Sequence, residues 1–133
     1  MTFADAVRTC FSKYATFSGR AARPEYWWWV LFATVVSLLT NMIDAYVIAS
    51  ALGLPPFGEG SGQPLSLIVG LGLLLPGLAV TVRRLHDIDR SGWWVLIVFI
   101  PVIGLLVLIY WMVQPGTEGE NRFGPGRVLE AEF

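Results

Sequence analysis

The sequence predicts an all-α membrane protein: a single domain with three transmembrane helices preceded by an amphipathic interfacial helix. Hydrophobic residues make up 55% of the 133 residues and charged residues only 14%, a balance beyond that of soluble domains. A soluble domain of this length has too much surface to hide so much apolar area. The apolar residues also form long continuous runs, which are typical of membrane helices, whereas polarity alternates in membrane strands.

An amphipathic helix is predicted for residues 1–17, ahead of the first apolar run. Aromatic and small apolar side chains recur there at helical spacing, whereas Arg8 and Lys13 fall away from the apolar face. Such a helix lies along the membrane surface or packs on other helices. We expect no cleavable signal peptide, because these residues lack a continuous apolar core followed by a small-residue cleavage site.

Three transmembrane helices are predicted over residues 26–52, 64–82 and 93–113. Each run approaches or exceeds the roughly 20 residues that a helix needs to cross about 30 Å of hydrocarbon. Tryptophan and tyrosine lie at the start of the first run and at both ends of the third. Residues of these two types prefer the headgroup level, so they support these helix ends independently.

The third run has two predicted paths. Pro101 and Gly104 interrupt it near its middle, and proline removes a helical hydrogen bond. We expect the run to cross the membrane, which sends the polar tail, residues 114–133, to the side opposite the N-terminus. The alternative is a re-entrant hairpin, which returns the tail to the N-terminal side. Docking of the tail on the loop before the third run would require that hairpin.

The positions of lysine and arginine predict the orientation. These residues are frequent before the first run, absent from residues 53–63 and frequent again in the 83–92 loop. Cytoplasmic loops of membrane proteins carry an excess of lysine and arginine. The N-terminus and the 83–92 loop are therefore predicted to be cytoplasmic.

A polar island at residues 83–94 separates the second and third runs and includes the only histidine of the chain. The planar guanidinium group of arginine matches the paired oxygens of phosphate. We therefore predict that the arginines of the island, and those just before the first run, contact an anion or a lipid headgroup. These residues are Arg20, Arg23, Arg83, Arg84 and Arg90.

A structural use of the same arginines is the alternative. Acidic side chains near them can pair with them and hold the cytoplasmic ends of the helices together. The tail adds an Asn-Arg pair after a glycine-rich turn, a pattern that looks like a folded cap. The predicted polar network consists of Glu25, His86, Asp87, Asp89, Asn121 and Arg122.

The island does not form a recognisable metal site or a complete catalytic set in the sequence. His86 and Asp87 are adjacent, as in an oriented general base or a ligand pair, but the other candidate ligands, Asp89 and Glu25, are not at a metal-binding spacing. No nucleophile elbow, phosphate-binding glycine loop or paired-carboxylate spacing is present. We expect no metal and no cofactor, and a non-enzymatic role is favoured over an enzymatic one.

Two polar residues, Asn41 and Asp44, lie inside the first run. They are three residues apart and therefore share one face of a helix. A carboxylate in hydrocarbon costs about 2.5 to 3.5 kcal/mol, which favours an interior position or protonation. Asp44 is predicted either to cap or snorkel at the outer interface, or to form a polar contact or pathway inside the bundle.

Four motifs stand in order along the chain: FSGRAARPEYW at 17–27, RRLHD with RSGWW across 83–94, IPVIG at 100–104 and GTEGENRFGP at 116–125. Together they resemble the bacterial inner-membrane family called DUF805, and the similarity extends over nearly the whole chain. The resemblance implies a small protein of the bacterial inner membrane. It implies no particular activity, because the family's molecular activity is not established.

These features predict a non-enzymatic membrane protein that acts through assembly or phospholipid contact. Its expected partners are membrane lipids and further copies of itself, because three short helices enclose little interior. Nucleic acid is not an expected partner, because the net charge is −1 and the chain has no basic tract. The alternatives are a transporter or channel that uses the Asn41 and Asp44 face, and a lipid-modifying enzyme that uses His86 with Asp87 or Asp89.

Overall fold

A computed structural model describes residues 2–53, 64–117 and 119–124. These ranges contain helices and one isolated bridge between Asn121 and Gly124, and no strand. The predicted all-α class is therefore confirmed. The elements are α1 (Phe3–Ser12), α2 (Arg23–Ile43), a π-helical segment (Asp44–Ile48), α3 (Ala49–Ala51), α4 (Pro64–Asp87), a 3-10 helix (Gly92–Phe99) and α5 (Ile103–Val113).

Helix α1 packs on α2 through its apolar face. The side chain of Thr2 caps the helix by accepting a hydrogen bond from the backbone N–H of Asp5 at 3.2 Å. Ala6 and Cys10 are buried, and the ring of Phe11 lies edge-on to that of Trp29 at 5.3 Å. The predicted amphipathic helix is therefore present, and its apolar face contacts the membrane helices.

Two described helices are long and apolar enough to cross a membrane: Arg23–Val47, which includes the start of the π-helical segment, and α4. They correspond to the first two predicted spans, 26–52 and 64–82. Proline in the first turn favours the start of α2, because it lacks the N–H that a helix leaves unpaired there. Glu25 in the same turn also favours it, because a negative charge suits a helix N-terminus. Both helices expose leucine and other large apolar side chains along most of their length.

Burial is concentrated at one end of α2 and α4. In α4 the buried positions begin at Pro76 and include every residue from Val82 to Asp87. One cluster of buried apolar residues joins Cys10, Trp29 and Val80. Towards the other end most large apolar side chains are exposed, as expected for helices surrounded by lipid, whereas Thr40, Asp44 and Ala45 are buried.

Asp44 caps the beginning of α4. Its carboxylate accepts hydrogen bonds from the backbone N–H groups of Leu65 at 3.0 Å and Ser66 at 2.7 Å, two of the donors that a helix N-terminus leaves unpaired. The side-chain oxygen of Asn41 accepts from the hydroxyl of Ser66 at 3.1 Å. Asp44 therefore caps α4, and both residues make polar contacts with the first turn of that helix.

The third apolar run differs from the single helix expected over residues 93–113. It consists of the 3-10 helix and α5, separated by a turn at residues 100–102. The N–H of Ile103 donates to the carbonyl of Pro101 at 2.6 Å across Val102, whose φ is 62° and ψ is −62°. These values define a γ-turn of the rarer, strained type. Proline and this turn explain the interruption, because neither continues an α-helix.

The two halves of the third run lie side by side in opposite directions. The backbone of Gly104 faces that of Ile97 close to the turn, and the rings of Trp94 and Trp111 meet edge-on at 5.6 Å farther from it. The farther a contact lies from the turn, the farther apart its two residues are in the sequence, as in an antiparallel hairpin. We call residues 92–113 the hairpin.

We expect Gly104→Ala to destabilise the hairpin. An added Cβ would lie 1.7 Å from the carbonyl oxygen of Ile97, a backbone atom that cannot move aside like a flexible side chain. Overpacking of this kind costs about 1 to 3 kcal/mol. Gly70→Ala is the control, because its Cβ would meet nothing within 4 Å. The unfolding midpoint is measured by titrating dodecyl sulfate into the protein in a mild detergent. Gly104→Ala should unfold at a lower dodecyl sulfate fraction than the unmodified protein, whereas Gly70→Ala should not. Equal midpoints for the two variants would contradict this packing.

Candidate functional site

A cluster of buried charges joins the beginning of α2 to the end of α4. We call it the arginine clasp, and it consists of Arg20, Glu25, Arg83, Arg84 and Asp87. Arg83, Arg84 and Asp87 are fully buried and Glu25 nearly so. Buried charges are costly unless they are paired and hydrogen-bonded, so the partners of each group define what the clasp does.

Glu25 and Arg83 form the ion pair that faces α1. Nη1 of Arg83 donates to Oε2 of Glu25, and the backbone N–H of Ala21 donates to the carbonyl of Arg83 at 3.0 Å. The remaining guanidinium nitrogens of Arg83, Nε and Nη2, are buried without a hydrogen-bond partner among the described residues. The pair fixes the turn before α2 against the last turn of α4.

Asp87 lies between two guanidinium groups. Its Oδ2 pairs with Nη1 of Arg84 at 2.8 Å, and its Oδ1 pairs with Nε of Arg20 at 2.9 Å. Arg84 is one turn earlier on α4, whereas Arg20 comes from the segment before α2. The carboxylate therefore connects two parts of the chain that are 67 residues apart.

Arg20 also holds the C-terminal tail. Its guanidinium donates to the carbonyl of Gly119 at 2.7 Å and to that of Thr117 at 2.5 Å. The N–H of Thr117 in turn donates to the carbonyl of Asp87 at 2.7 Å. The tail is thereby docked on the end of α4, at the same end of the molecule as α1.

The carbonyl groups at the end of α5 are also bound at the clasp. Nε of Arg84 and Nε1 of Trp27 both donate to the carbonyl of Met112, at 3.3 and 3.2 Å. Nη2 of Arg84 donates to the carbonyl of Gln114. The last carbonyls of a helix have no partner inside it and carry partial negative charge. The arginine therefore both pairs with Asp87 and caps α5.

The remaining residues of the predicted network lie around the clasp. Nδ1 of His86 lies 2.9 Å from the carbonyl of Gly19, so this nitrogen carries the proton, because a carbonyl can only accept. The His86 ring stacks on Phe123 with centroids 4.0 Å apart. Asn121 donates to the carbonyl of His86 at 2.9 Å, and Nε of Arg122 pairs with Asp89 at 3.2 Å.

The structure divides the five arginines that were predicted to contact an anion or a headgroup. Arg20, Arg83 and Arg84 lie inside the protein as part of the clasp. Arg23 is half-buried and donates to the carbonyl of Val113 at 3.5 Å. Arg90 is exposed, and its guanidinium carbon lies 4.5 Å from the centre of the Trp111 ring. Three of the five arginines are thus in ion pairs inside the protein, whereas Arg90 is exposed.

Several groups that contact the arginine clasp could not be recognised from the sequence. The tail and α5 contribute mainly backbone carbonyls, which are the same for every residue type. The tryptophan that donates to Met112, Trp27, was interpreted as part of an interfacial belt. Cys10 also lies beside the clasp, with Sγ 4.0 Å from Oε2 of Glu25. Burial, reinforced by the charge of Glu25, raises the pKa of this thiol to about 12.

The arrangement separates the two residues that resembled an oriented base. His86 is held by Gly19 and Phe123, whereas Asp87 is held by two arginines. Within the part of the chain that the structure describes, no group of three or more histidine, cysteine, aspartate or glutamate residues is arranged to hold a metal ion.

Two helices long and apolar enough to cross a membrane, with large apolar side chains exposed along them, are features of an integral membrane protein. The chain belongs to the family described as "Protein of unknown function (DUF805)", whose model matches residues 14–125. The matched region contains the whole clasp and the docked tail. The predicted family is therefore confirmed.

Similar proteins are found in Escherichia coli. "Inner membrane protein YhaH" of strain K12 is 44% identical over 117 residues, which cover 88% of this chain and 91% of that protein. "Inner membrane protein YhaI" is 45% identical over 111 residues, covering 84% and 85%. "Uncharacterized protein YiiR" is 31% identical over 122 residues, covering 86% and 70%. No solved structure matches this chain.

We expect Glu25→Gln to destabilise the fold by about 3 to 5 kcal/mol, because it leaves the buried charge of Arg83 without its counter-ion. Replacing both partners, with Glu25→Leu and Arg83→Met, should cost much less than the single change. Glu120→Gln, at an exposed position of the tail, is the control for loss of one carboxylate. Unfolding in dodecyl sulfate measures all three, and a double variant as unstable as Glu25→Gln would contradict the pairing.

Cys10 should resist alkylation in the folded protein. With a pKa of about 12, only about one thiol in ten thousand is ionised at pH 8, and the thiolate is the reactive form. We expect the iodoacetamide reaction rate to rise about tenfold per pH unit from pH 8 to 10. The unfolded chain in dodecyl sulfate is the reference, in which the rate should level off near the ordinary thiol pKa of about 8.5. A plateau below pH 10 in the folded protein would be inconsistent with this burial.

Proposed function

We propose that this inner-membrane protein is non-enzymatic and binds the phosphate of anionic phospholipid headgroups at its cytoplasmic face, with Arg90 as the principal contact. The observation that carries the proposal is the exposed guanidinium of Arg90, 4.5 Å from the ring of Trp111 and outside the arginine clasp. The positive-inside rule supports the cytoplasmic assignment of this face.

The surroundings of Arg90 suit a headgroup. The guanidinium borders an open pocket of about 290 Å³ at the mouth of the hairpin. Stacking on tryptophan keeps the guanidinium oriented while its N–H groups stay available to phosphate oxygens. Tryptophan and tyrosine at this level match the headgroup depth of a bilayer. The lining includes Ile88, Tyr110, Trp111, Gln114 and Thr117.

The engagement of the other polar groups supports a non-enzymatic role. His86 and Asp87 have separate partners, so they do not form an imidazole oriented by a carboxylate. The Asp44 carboxylate is used in capping α4, so no observation on this face favours a transport pathway over phospholipid contact. Arg90, which is outside the clasp, remains as a positive charge at the membrane surface.

Arg90→Gln should lower the retention of phosphatidylglycerol several-fold. The protein would be released from nanodiscs of equal phosphatidylglycerol and phosphatidylcholine and the bound lipid counted by native mass spectrometry. Arg122→Gln removes another exposed arginine at the same end of the molecule, one that pairs with Asp89, and should retain lipid as the unmodified protein does. Arg90→Lys should be intermediate, because it keeps the charge and loses the planar fork.

Unchanged retention in Arg90→Gln would contradict the proposed headgroup contact. Equal losses in Arg90→Gln and Arg122→Gln would indicate a general charge effect and would also count against a site at Arg90.

A further inference from the structure

Both ends of the hairpin lie at the arginine clasp. Its first residue, Gly92, is so close to α4 that a Cβ there would be 2.6 Å from Cγ1 of Val82. Its last turn is bound through the carbonyls of Met112 and Gln114 by Arg84. The apolar run therefore leaves the clasp end of the molecule and returns to the same end.

The docked tail provides further contacts at the end of the molecule to which the apolar run returns. The tail backbone is bonded to Arg20 and Asp87, and Asn121 is bonded to His86. These partners stand at the junction of α1 with α2 and at the end of α4. The described part of the tail, residues 114–117 and 119–124, is thus on the side of the membrane that α1 occupies.

The dimensions of the hairpin match one leaflet. Eight residues of 3-10 helix extend about 16 Å, and the eleven residues of α5 extend about 16 to 17 Å. The hydrocarbon core of a bilayer is about 30 Å thick. A hairpin held at the membrane surface therefore ends near the middle of the bilayer.

The surface of the hairpin matches lipid. Residues 92–113 contain no charged side chain, and its turn exposes Phe99, Val102 and Ile103, at 78%, 70% and 66%. The open end has two tryptophans on one arm and a tyrosine and a tryptophan on the other, the residue types that prefer the headgroup level. Polarity thus changes along the hairpin as it does from the surface to the centre of a leaflet.

Most backbone N–H groups at the turn form hydrogen bonds within the turn. The N–H groups of Ile100, Ile103 and Gly104 donate to carbonyls within residues 97–101, and Pro101 has no N–H group to satisfy. Backbone donors without partners are strongly disfavoured in hydrocarbon. These bonds lower the cost of placing an irregular turn in the bilayer.

We propose that residues 92–113 form a re-entrant hairpin whose partner is the acyl chains of a single leaflet, the one on the clasp side, and which returns the tail to the side of α1. The chain then crosses the membrane twice, through α2 with its continuation and through α4. This inference is independent of headgroup binding by Arg90.

Labelling of single cysteines from each side of the membrane tests the path of the chain. Three exposed positions are replaced in the full-length protein: Ser12→Cys at the end of α1, Glu120→Cys in the tail and Leu52→Cys at the far end of the first span. The unmodified protein is the blank, because Cys10 is buried. A membrane-impermeant maleimide should label Ser12→Cys and Glu120→Cys from one side and Leu52→Cys from the other. Labelling of Glu120→Cys from the side of Leu52→Cys would overturn the hairpin.

Fluorescence quenching tests lipid as the partner. A bimane probe is attached to Phe99→Cys, Trp93→Cys or Tyr110→Cys, each at a position exposed in the hairpin. Lipids with a nitroxide deep in the acyl chain should quench the probe at 99 most strongly. A headgroup nitroxide confined to the clasp-side leaflet should quench the probes at 93 and 110 equally. No quenching at 99 would show that protein, such as a second copy, covers the turn, and quenching at 110 only from the opposite leaflet would show a full crossing; either result overturns the proposal.

Discussion

The buried carboxylate of Asp87 between the guanidinium groups of Arg20 and Arg84 is the interaction on which the rest of this structure depends. Removing one carboxylate and two guanidiniums from water costs several kcal/mol per ion. The arrangement persists because each arginine also donates to backbone carbonyls that would otherwise lack partners. One cluster therefore ties the segment before α2, the end of α4, the end of α5 and the tail.

The arginine clasp also determines which charged side chains remain exposed and can bind a ligand. Charged residues in a small membrane protein suggest a ligand or a reaction, but most of the island's charge is neutralised internally. The clasp adds to the apolar packing around Cys10, Trp29 and Val80 and to the hydrogen bonds that Asp44 makes with the first turn of α4. Among the five arginines first considered for anion contact, Arg90 is the exposed one, and it stacks on Trp111. The proposed headgroup contact follows from this division of the arginines between interior and surface.

The path of the third apolar run is a second consequence of the clasp. Pro101 and the positive φ of Val102 permit a sharp reversal, but they do not require one, because a kinked helix can also cross a membrane. The reversal is selected by the contacts at both ends of the run. Gly92 packs closely on Val82 at the start of the 3-10 helix, and Arg84 donates hydrogen bonds to the carbonyls of Met112 and Gln114 at the end of α5.

The sequence alone determined the all-helical membrane class and the family, because hydrophobic length, amphipathic spacing and residue type are local properties. It also located the interruption at Pro101 and offered both paths for the third run. The tertiary structure decided which arginines are buried, that Asp44 caps α4 and that the tail docks on the end of α4. These outcomes depend on ion pairs between distant residues, such as Arg20 with Asp87, 67 residues apart, and on hydrogen bonds to backbone carbonyls. The type of a residue does not indicate which distant side chain it pairs with, nor whether its carbonyl is free to accept a hydrogen bond.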